Sequence, residues 1–288
     1  MTDSDVEKPR LTIPHLAILK AEGKKVVMAS VYDYLTAQWA EQGGVDIAAV
    51  GDSLGMIAYG HANTLPMTVD QMVLHTQAVK RGAPKTMVIT AMPYGSYATP
   101  ELAVLNALRL MKEGGADAVK MQGGREKFDT IKAVADAGIP VMSHVGMCPH
   151  FVHQYGGFLL QGRTAAEAME IIDNARAIEE AGAIGLEIEA VPRNVGKAVD
   201  DAVSIFTFAI GAGSAACGQL LMGADLMGCF TDFKPKFAKR YGAVADHAVA
   251  AFKAYVADVH GGTFPDEQHS YGTKAKEAER LEEILTGD

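Results

Sequence analysis

Short apolar runs alternate along the chain with amphipathic segments of helical period. This alternation predicts stacked β/α units. The runs are apolar nearly throughout, as is typical of parallel strands that are buried on both faces. Eight runs are predicted as strands, namely residues 25–33, 46–53, 86–93, 117–124, 140–146, 183–190, 203–213 and 219–228.

The helical segments between these runs carry recognisable start signals. Thr99, Pro100 and Glu101 read as an N-cap, an N1 proline and an early acid. Thr164 and Glu167 have the spacing of a capping box, and an apolar stripe follows them. Both segments therefore predict helices that cover a sheet.

Eight consecutive β/α units favour a closed (β/α)8 TIM barrel over an open doubly wound sheet. No G-x-G-x-x-G opens the first unit and no G-x-x-x-x-G-K-[ST] occurs, so the usual nucleotide motifs are missing from the sequence. The predicted single domain comprises an N-terminal segment (1–24), the barrel (25–230) and a C-terminal helical extension (231–288). Exposed helical extensions often dock on a neighbouring subunit, so a homo-oligomer is expected.

Composition narrows the class of protein. A net charge of −9 without a long Lys/Arg cluster argues against nucleic acid or a membrane surface as partner. The N-terminal stretch lacks the basic and apolar regions of a signal peptide, which predicts a cytoplasmic protein. Cys148, Cys217 and Cys229 are too scattered for a disulfide framework or a metal pair and are interpreted as free thiols.

Polar residues at the carboxyl ends of the predicted strands are the candidates for chemistry, because active sites of (β/α)8 barrels form there. They are Tyr32, Asp33, Asp52, Ser53, Lys120, Gln122, His144, Glu187 and Glu189. Several have a structural alternative. Asp52 and Ser53 could cap a turn, His144 could be a core histidine and Lys120 could be ion-paired.

Glu187 and Glu189 lie two positions apart in one predicted strand, so their side chains point to the same face. Burying two acids there is costly unless at least one is hydrogen-bonded or functional. A buried Glu189 with a raised pKa, beside the cation Lys120 and a neutral His144, suits removal of a proton next to the carbonyl of a 2-oxo acid. The residues alone thus favour enolate chemistry.

Ten motifs follow one another in a family-specific order from about residue 12 to residue 272. They are "VYDY" (31–34), "VGDSLGM" (50–56), "GHANTLPMTVDQM" (60–72), "KRGAP" (80–84), "YATP" (97–100), "GGFLLQGR" (156–163), "IEAVP" (188–192), "IGAG" (210–213), "PKFAK" (235–239) and "FPDEQHSY" (264–271). Through these motifs and their order, the sequence resembles the ketopantoate hydroxymethyltransferase family of pantothenate biosynthesis.

The resemblance implies a (β/α)8 barrel of the phosphoenolpyruvate/pyruvate superfamily, assembled as a homodecamer. It implies transfer of the one-carbon unit of 5,10-methylenetetrahydrofolate to 3-methyl-2-oxobutanoate, with Mg²⁺ held by strand-end acids. By motif position, Asp52 matches a metal ligand and is also a candidate for substrate binding, and Ser53 and Lys120 match contacts to the substrate carboxylate. His144 matches an active-site histidine, and Glu189 matches the general base.

The sequence departs from the family pattern at the metal site. Ala91 stands where the motif "ADLP" has an aspartate, and Gln122 stands where "VKIEGG" has a glutamate. Because Mg²⁺ prefers carboxylates, these losses imply weak binding of the metal or its loss. Without the metal, Lys120 and a protonated His144 would have to stabilise the enolate.

Three functional hypotheses follow. The first is a hydroxymethyltransferase with reduced or altered metal dependence, the second a C–C lyase or aldolase for another 2-oxo acid, and the third a non-catalytic relative. Retention of Glu189, Lys120 and His144 counts against the third, and loss of two metal acids counts against the first.

Overall fold

The computed structural model describes residues 10–287 and contains a closed barrel of eight parallel strands. The strands are β1 (Val26–Ser30), β2 (Ile47–Val50), β3 (Met87–Ala91), β4 (Ala118–Lys120), β5 (Val141–Gly146), β6 (Gly185–Glu189), β7 (Phe206–Ile210) and β8 (Gly218–Met222). Each strand pairs with the next in parallel, and β8 pairs with β1 to close the barrel. The predicted (β/α)8 barrel is confirmed.

Helices connect and flank these strands. Within residues 10–287 they are α1 (Ile13–Ala21), α2 (Tyr34–Gln42), α3 (Leu54–Ile57), α4 (Val69–Gly82), α5 (Pro100–Lys112), α6 (Phe128–Asp136), α7 (Val152–Tyr155), α8 (Ala165–Glu180), α9 (Arg193–Ala202), α10 (Gly223–Met227), α11 (Val244–Gly261) and α12 (Ala275–Thr286). The two predicted helix starts are confirmed. Thr99 accepts a hydrogen bond from the Leu102 amide, and Thr164 forms a capping box with Glu167.

The strands are buried on both faces, as their continuous apolar runs predict. Alternate strand residues such as Met28, Ile47 and Phe206 form one core cluster, which also includes Leu16 of α1. The opposite faces of the strands pack with the surrounding helices in a second cluster. Because side chains alternate along a strand, these clusters correspond to the inside and the outside of the barrel.

The prediction of a strand over 219–228 is wrong in its second half. Strand β8 ends at Met222, and Gly223–Met227 forms α10. At this point the chain passes close to β1, because a Cβ on Gly223 would lie 2.6 Å from the carbonyl oxygen of Ser30. A short apolar run has the same pattern in a buried strand and in a buried helix, so its periodicity did not separate the two.

Contacts divide the chain into two compact units, of which one ends at Tyr241 and the other begins at Gly242. The second unit contains α11 and α12, and it exposes large apolar side chains such as Phe252 (71%). The predicted scheme, with an extension from residue 231 that belongs to the same domain, stays a prediction. None of the helices within residues 10–287 has the length and apolar character that a membrane crossing needs.

Candidate active site

A cavity of about 330 Å³ opens at the carboxyl ends of the strands. Its polar lining includes the predicted site residues Asp52, Ser53, Lys120, Gln122, His144, Glu187 and Glu189. Ala91 also lines it, and much of the remaining wall is apolar, with Met56, Phe158, Phe230 and Phe233 among its residues. The structure therefore brings together side chains that lie far apart in the sequence.

The ends of β5 and β6 position the acids and the histidine. His144 lies opposite Glu187 in the strand register, and Gly146 lies opposite Glu189. A Cβ on Gly146 would stand 2.2 Å from the Glu189 carbonyl oxygen, so only glycine allows this close approach. Directly after Glu189, Ala190 has a φ of 45°, a strained conformation for a residue with a side chain.

Lys120, at the end of β4, is buried in an ion pair. Its Nζ lies 3.1 Å from Glu187 Oε2 and 3.5 Å from His144 Nδ1. Burial acts to lower the pKa of Lys120, but the carboxylates of Glu187 and Asp52 outweigh it and raise the pKa above its usual value. The ammonium group is therefore charged, and Glu187 is its counter-ion.

His144 is a neutral imidazole. Burial and the neighbouring Lys120 charge lower its pKa to about 3. The expected protonated His144 is thus not supported, whereas the neutral form is. If Nδ1 accepts from Lys120, the proton is on Nε2, which lies 3.3 Å from Glu189 Oε2. Among the described residues, no group makes a hydrogen bond with this buried Nε2.

Glu189 is the acid whose ionisation is most disfavoured at this site. Burial raises its pKa to about 8, with Lys120 opposing the shift and Asp52 adding to it. Its side chain remains 14% exposed, whereas that of Glu187 is 5% exposed. A carboxyl group that titrates near neutral pH and reaches the cavity has the properties of a general base.

Asp52, just after β2, is held by a histidine that the sequence analysis missed. His150 Nε2 lies 2.5 Å from Asp52 Oδ2. Burial acts to raise the pKa of Asp52, but the interactions with His150 outweigh it, so the pKa lies below its usual value. Asp52 is therefore an ionised carboxylate with a fixed partner.

Gln122 and Tyr97 complete this arrangement. The Gln122 side chain donates from Nε2 to Asp52 Oδ2 at 3.4 Å, and its Oε1 accepts from the His150 backbone amide at 2.9 Å. The Tyr97 hydroxyl lies 2.5 Å from His150 Nδ1 and accepts from the Gln122 backbone amide at 3.2 Å. These four side chains form a buried network, the Asp52 network (Asp52, Tyr97, Gln122 and His150).

Ser53 faces the cavity rather than capping a helix. Its hydroxyl lies 2.9 Å from the Tyr32 hydroxyl, and Ser53 makes no side-chain cap hydrogen bond to α3. The turn-capping alternative is thus not what the structure contains. The candidate Asp33, by contrast, is a helix cap, because it accepts from the Thr36 amide at the start of α2.

His150 and Tyr97 carried a weak signal in the sequence. Tyr97 belongs to the quoted "YATP" motif, and His150 follows β5 by a few residues in "CPHF". Loops that follow barrel strands also supply site residues. Restricting the candidates to the strand ends is the reason that both residues were missed.

Comparison with known proteins identifies the family. A family model described as ketopantoate hydroxymethyltransferase matches residues 10–267. The chain belongs to the ketopantoate hydroxymethyltransferase family. A 3-methyl-2-oxobutanoate hydroxymethyltransferase of Methylibium petroleiphilum is 50% identical over 97% of this chain and 95% of that protein. One from Thermus thermophilus is 45% identical over 87% of this chain and 96% of that protein.

Solved structures show the same fold. A 2,3-dimethylmalate lyase, described as a PEP mutase/isocitrate lyase superfamily member, covers 97% of this chain with a TM-score of 0.60 at 17% identity, and 95% of that protein is matched. A phosphonopyruvate hydrolase in complex with oxalate and Mg²⁺ covers 96% with a TM-score of 0.60 at 14% identity, and 98% of that protein is matched. The ketopantoate hydroxymethyltransferase family member described here therefore shares its barrel fold with these two proteins.

The side chains of this family member do not fit the magnesium site that the resemblance implies. Ala91 offers no ligand, and the Gln122 amide turns its N–H group toward Asp52. No group of three or more His, Cys, Asp or Glu residues within the described chain could hold a metal ion. Mg²⁺ takes oxygen ligands, and here one of the two Asp52 carboxylate oxygens, Oδ2, already accepts hydrogen bonds.

Proposed function

We propose that the protein is a 3-methyl-2-oxobutanoate hydroxymethyltransferase that uses 5,10-methylenetetrahydrofolate as one-carbon donor and Glu189 as base. The observation that carries the proposal is the position of Glu189, 3.3 Å from the His144 imidazole in a cavity that also contains the Lys120 ammonium group. Family membership and the names of the relatives support this substrate.

The charged side of the cavity is suited to a 2-oxo acid. Lys120 is the proposed partner of the substrate carboxylate, and the Ser53 hydroxyl, which lines the same cavity, is the proposed second donor. His144 Nε2, which lacks a hydrogen-bond partner within the described chain, is suited to the keto oxygen. A neutral N–H donor aimed at this oxygen stabilises the negative charge that develops there in the transition state.

Glu189 then takes the proton from C3 of the substrate, and the electrons of that C–H bond move into the enolate. The pKa of about 8 allows the ionised form at neutral pH and makes it a stronger base than an exposed glutamate. The enolate carbon attacks the methylene carbon of the folate, and the new C–C bond forms as one of the two C–N bonds to that carbon breaks; the released nitrogen takes up the proton held by Glu189. Water then replaces the second nitrogen as the hydroxyl group, its other proton goes to that nitrogen, and tetrahydrofolate leaves.

Hydrogen exchange in D₂O tests the first half of this mechanism. NMR follows the C3 proton of 3-methyl-2-oxobutanoate in the presence of the protein. We expect exchange in the wild type and a loss of about a thousandfold in Glu189→Gln, since general-base catalysis contributes about 10²–10⁴. Glu180→Gln, at an exposed position of α8, is the matched control and should exchange at the wild-type rate.

The outcome also separates the alternative functions. Exchange together with transfer from 5,10-methylenetetrahydrofolate supports the proposal. Exchange without transfer favours a C–C lyase or aldolase for another 2-oxo acid. A wild-type protein that exchanges no proton is inconsistent with both enzymes and favours a non-catalytic relative.

A cytoplasmic homo-oligomer, with the decamer that the resemblance implies, completes the proposal. Exposed apolar side chains along α11, including Phe252, Tyr255 and Val259, support a contact between subunits. Size-exclusion chromatography with light scattering measures the number of subunits.

A further inference from the structure

The surroundings of Asp52 differ from those of a metal ligand. Asp52 is only 3% exposed, and its Oδ2 is within hydrogen-bond distance of two nitrogen atoms, His150 Nε2 at 2.5 Å and Gln122 Nε2 at 3.4 Å. A carboxylate oxygen can only accept hydrogen bonds, so both nitrogens present an N–H group to it. A cation that approached this oxygen would meet hydrogens rather than ligand atoms.

The orientation of the Gln122 amide is fixed by its other hydrogen bond. The His150 backbone amide is a donor and lies 2.9 Å from the Gln122 side chain, so the oxygen of that side chain must face it. The NH₂ group consequently faces Asp52. Rotation of the amide by half a turn would break both hydrogen bonds, and at 1% exposure Gln122 is too deeply buried for bulk solvent to compensate for the loss.

His150 is held from both sides. Its Nδ1 lies 2.5 Å from the Tyr97 hydroxyl, which also accepts from the Gln122 backbone amide. Tyr97 stacks on the His150 ring at a centroid distance of 5.8 Å. These contacts fix the imidazole, so the N–H group that faces Asp52 is preorganised rather than mobile.

We propose that His150 and Gln122 take the place of a divalent cation beside Asp52, so that this protein holds its 2-oxo acid substrate without a metal ion. The identity of the substrate rests on the proposed function. His150 is a positioning residue here, because both of its ring nitrogens are engaged and it acts through Asp52. The substrate carboxylate and keto oxygen are left to Lys120, Ser53 and His144.

The physical need for His150 follows from charge. An Asp52 carboxylate without a partner would repel an anionic substrate inside a cavity of low dielectric constant. Hydrogen bonds from His150 and Gln122 spread this charge and fix the orientation of the carboxylate. Removal of the His150 donor should therefore weaken binding of the substrate, and removal of the Asp52 charge as well should restore it.

Metal binding is tested directly with Mn²⁺, whose EPR signal distinguishes free from bound ion. We expect millimolar Mn²⁺ to remain free in the presence of wild-type protein, and C3 proton exchange to be the same with chelator and with Mg²⁺. Mn²⁺ binding that disappears in Asp52→Asn would overturn the proposal. Exchange that stops with chelator and returns with Mg²⁺ would overturn it as well.

The role of His150 is tested by titration calorimetry with 3-methyl-2-oxobutanoate in metal-free buffer. We expect His150→Phe, which keeps a ring but removes the donor, to bind about tenfold more weakly or worse. In the double variant Asp52→Asn/His150→Phe, affinity should return to within about threefold of wild type. A residue with a merely structural role would not be rescued in this way, so a double variant as weak as His150→Phe contradicts the proposal.

Two controls keep these results separable. His153→Phe makes the same substitution at an exposed position of α7 and should bind like the wild type. Circular dichroism and thermal unfolding identify a variant that fails to fold, and the Mn²⁺ measurement on wild type then decides alone. A wild type that binds no 3-methyl-2-oxobutanoate rejects the proposed function, whereas the Mn²⁺ result still reports on the Asp52 network.

Discussion

Two neighbouring groups of side chains treat carboxyl groups in opposite ways. The first is the Lys120 cluster, which consists of Lys120, His144, Glu187 and Glu189. The second is the Asp52 network. The pKa of Glu189 is raised to about 8, whereas that of Asp52 lies below its usual value.

The two pKa values shift in opposite directions because the acids have different hydrogen-bond partners, and the depth of burial does not explain the difference. Asp52 is the more deeply buried of the two acids, yet it has a close hydrogen bond from His150, whereas His144 Nε2 lies 3.3 Å from Glu189 without forming one. Desolvation dominates where the charged form has no strong hydrogen bond, and it is overcome where that bond exists. The incompletely paired Lys120 cluster is therefore suited to chemistry, and the Asp52 network to holding a fixed shape.

The largest expected effect is the loss of stability in Lys120→Met, which breaks the ion pair of the Lys120 cluster. This change leaves Glu187 buried without its cation, and loss of one partner of a buried ion pair costs about 3–5 kcal/mol. Urea denaturation of wild type and variant measures the difference in free energy of unfolding. Lys197→Met is the control, because the exposed pair of Lys197 and Asp201 should contribute about 0.5 kcal/mol or less. Equal losses in the two variants would contradict the buried pair.

The pH dependence of proton exchange should follow the Lys120 cluster. Glu189 has to be ionised to act as base, and its pKa is raised to about 8. Below that pH the exchange rate should rise about tenfold per pH unit, and above it the rate should level off. Measurement of the C3 exchange rate between pH 5 and pH 9 gives the midpoint. A rate that is constant over this range would exclude Glu189 as the titrating base.

His144→Asn tests the neutral imidazole through stability. Folded His144 stays neutral down to about pH 3, whereas an unfolded chain binds a proton near 6.5. Its contribution is therefore complete above pH 6.5 and declines as the pH falls, by at most about 1.4 kcal/mol per pH unit. Between pH 7 and pH 5 the wild type should lose about 1–2 kcal/mol more than the variant in urea unfolding. Parallel losses in the two proteins would argue for a protonated His144.

The smallest effect is expected from Tyr97→Phe. It removes a hydroxyl that contacts His150 Nδ1 but keeps the ring that stacks on the imidazole. A lost hydrogen bond of this kind costs about 1 kcal/mol, and substrate affinity should change less than in His150→Phe. Urea unfolding and calorimetry measure the two effects. A larger loss of affinity than in His150→Phe would place the hydroxyl itself in contact with the substrate.

Much of the fold follows from local patterning. Seven of the eight predicted strands contain the observed strand, and the eighth overlaps β8 from residue 219 onward. The helix starts at Thr99 and Thr164 depend on neighbouring residues only. The predicted strands extend beyond the observed ones because the apolar stretches in the sequence continue past the strand ends and include the polar residues there. Strand β8 shows the limit, since α10 continues the same apolar run.

The sequence by itself determined the barrel, the family and the set of side chains at the strand ends, because these depend on periodicity and on motif order. Only the tertiary structure decided how those side chains are paired. His150 reaches Asp52 across 98 positions of chain, and Lys120 reaches Glu187 across 67. Which acid becomes a base and which becomes a fixed anion depends on such long-range contacts, because burial and hydrogen bonding set each pKa and neither is encoded in local sequence.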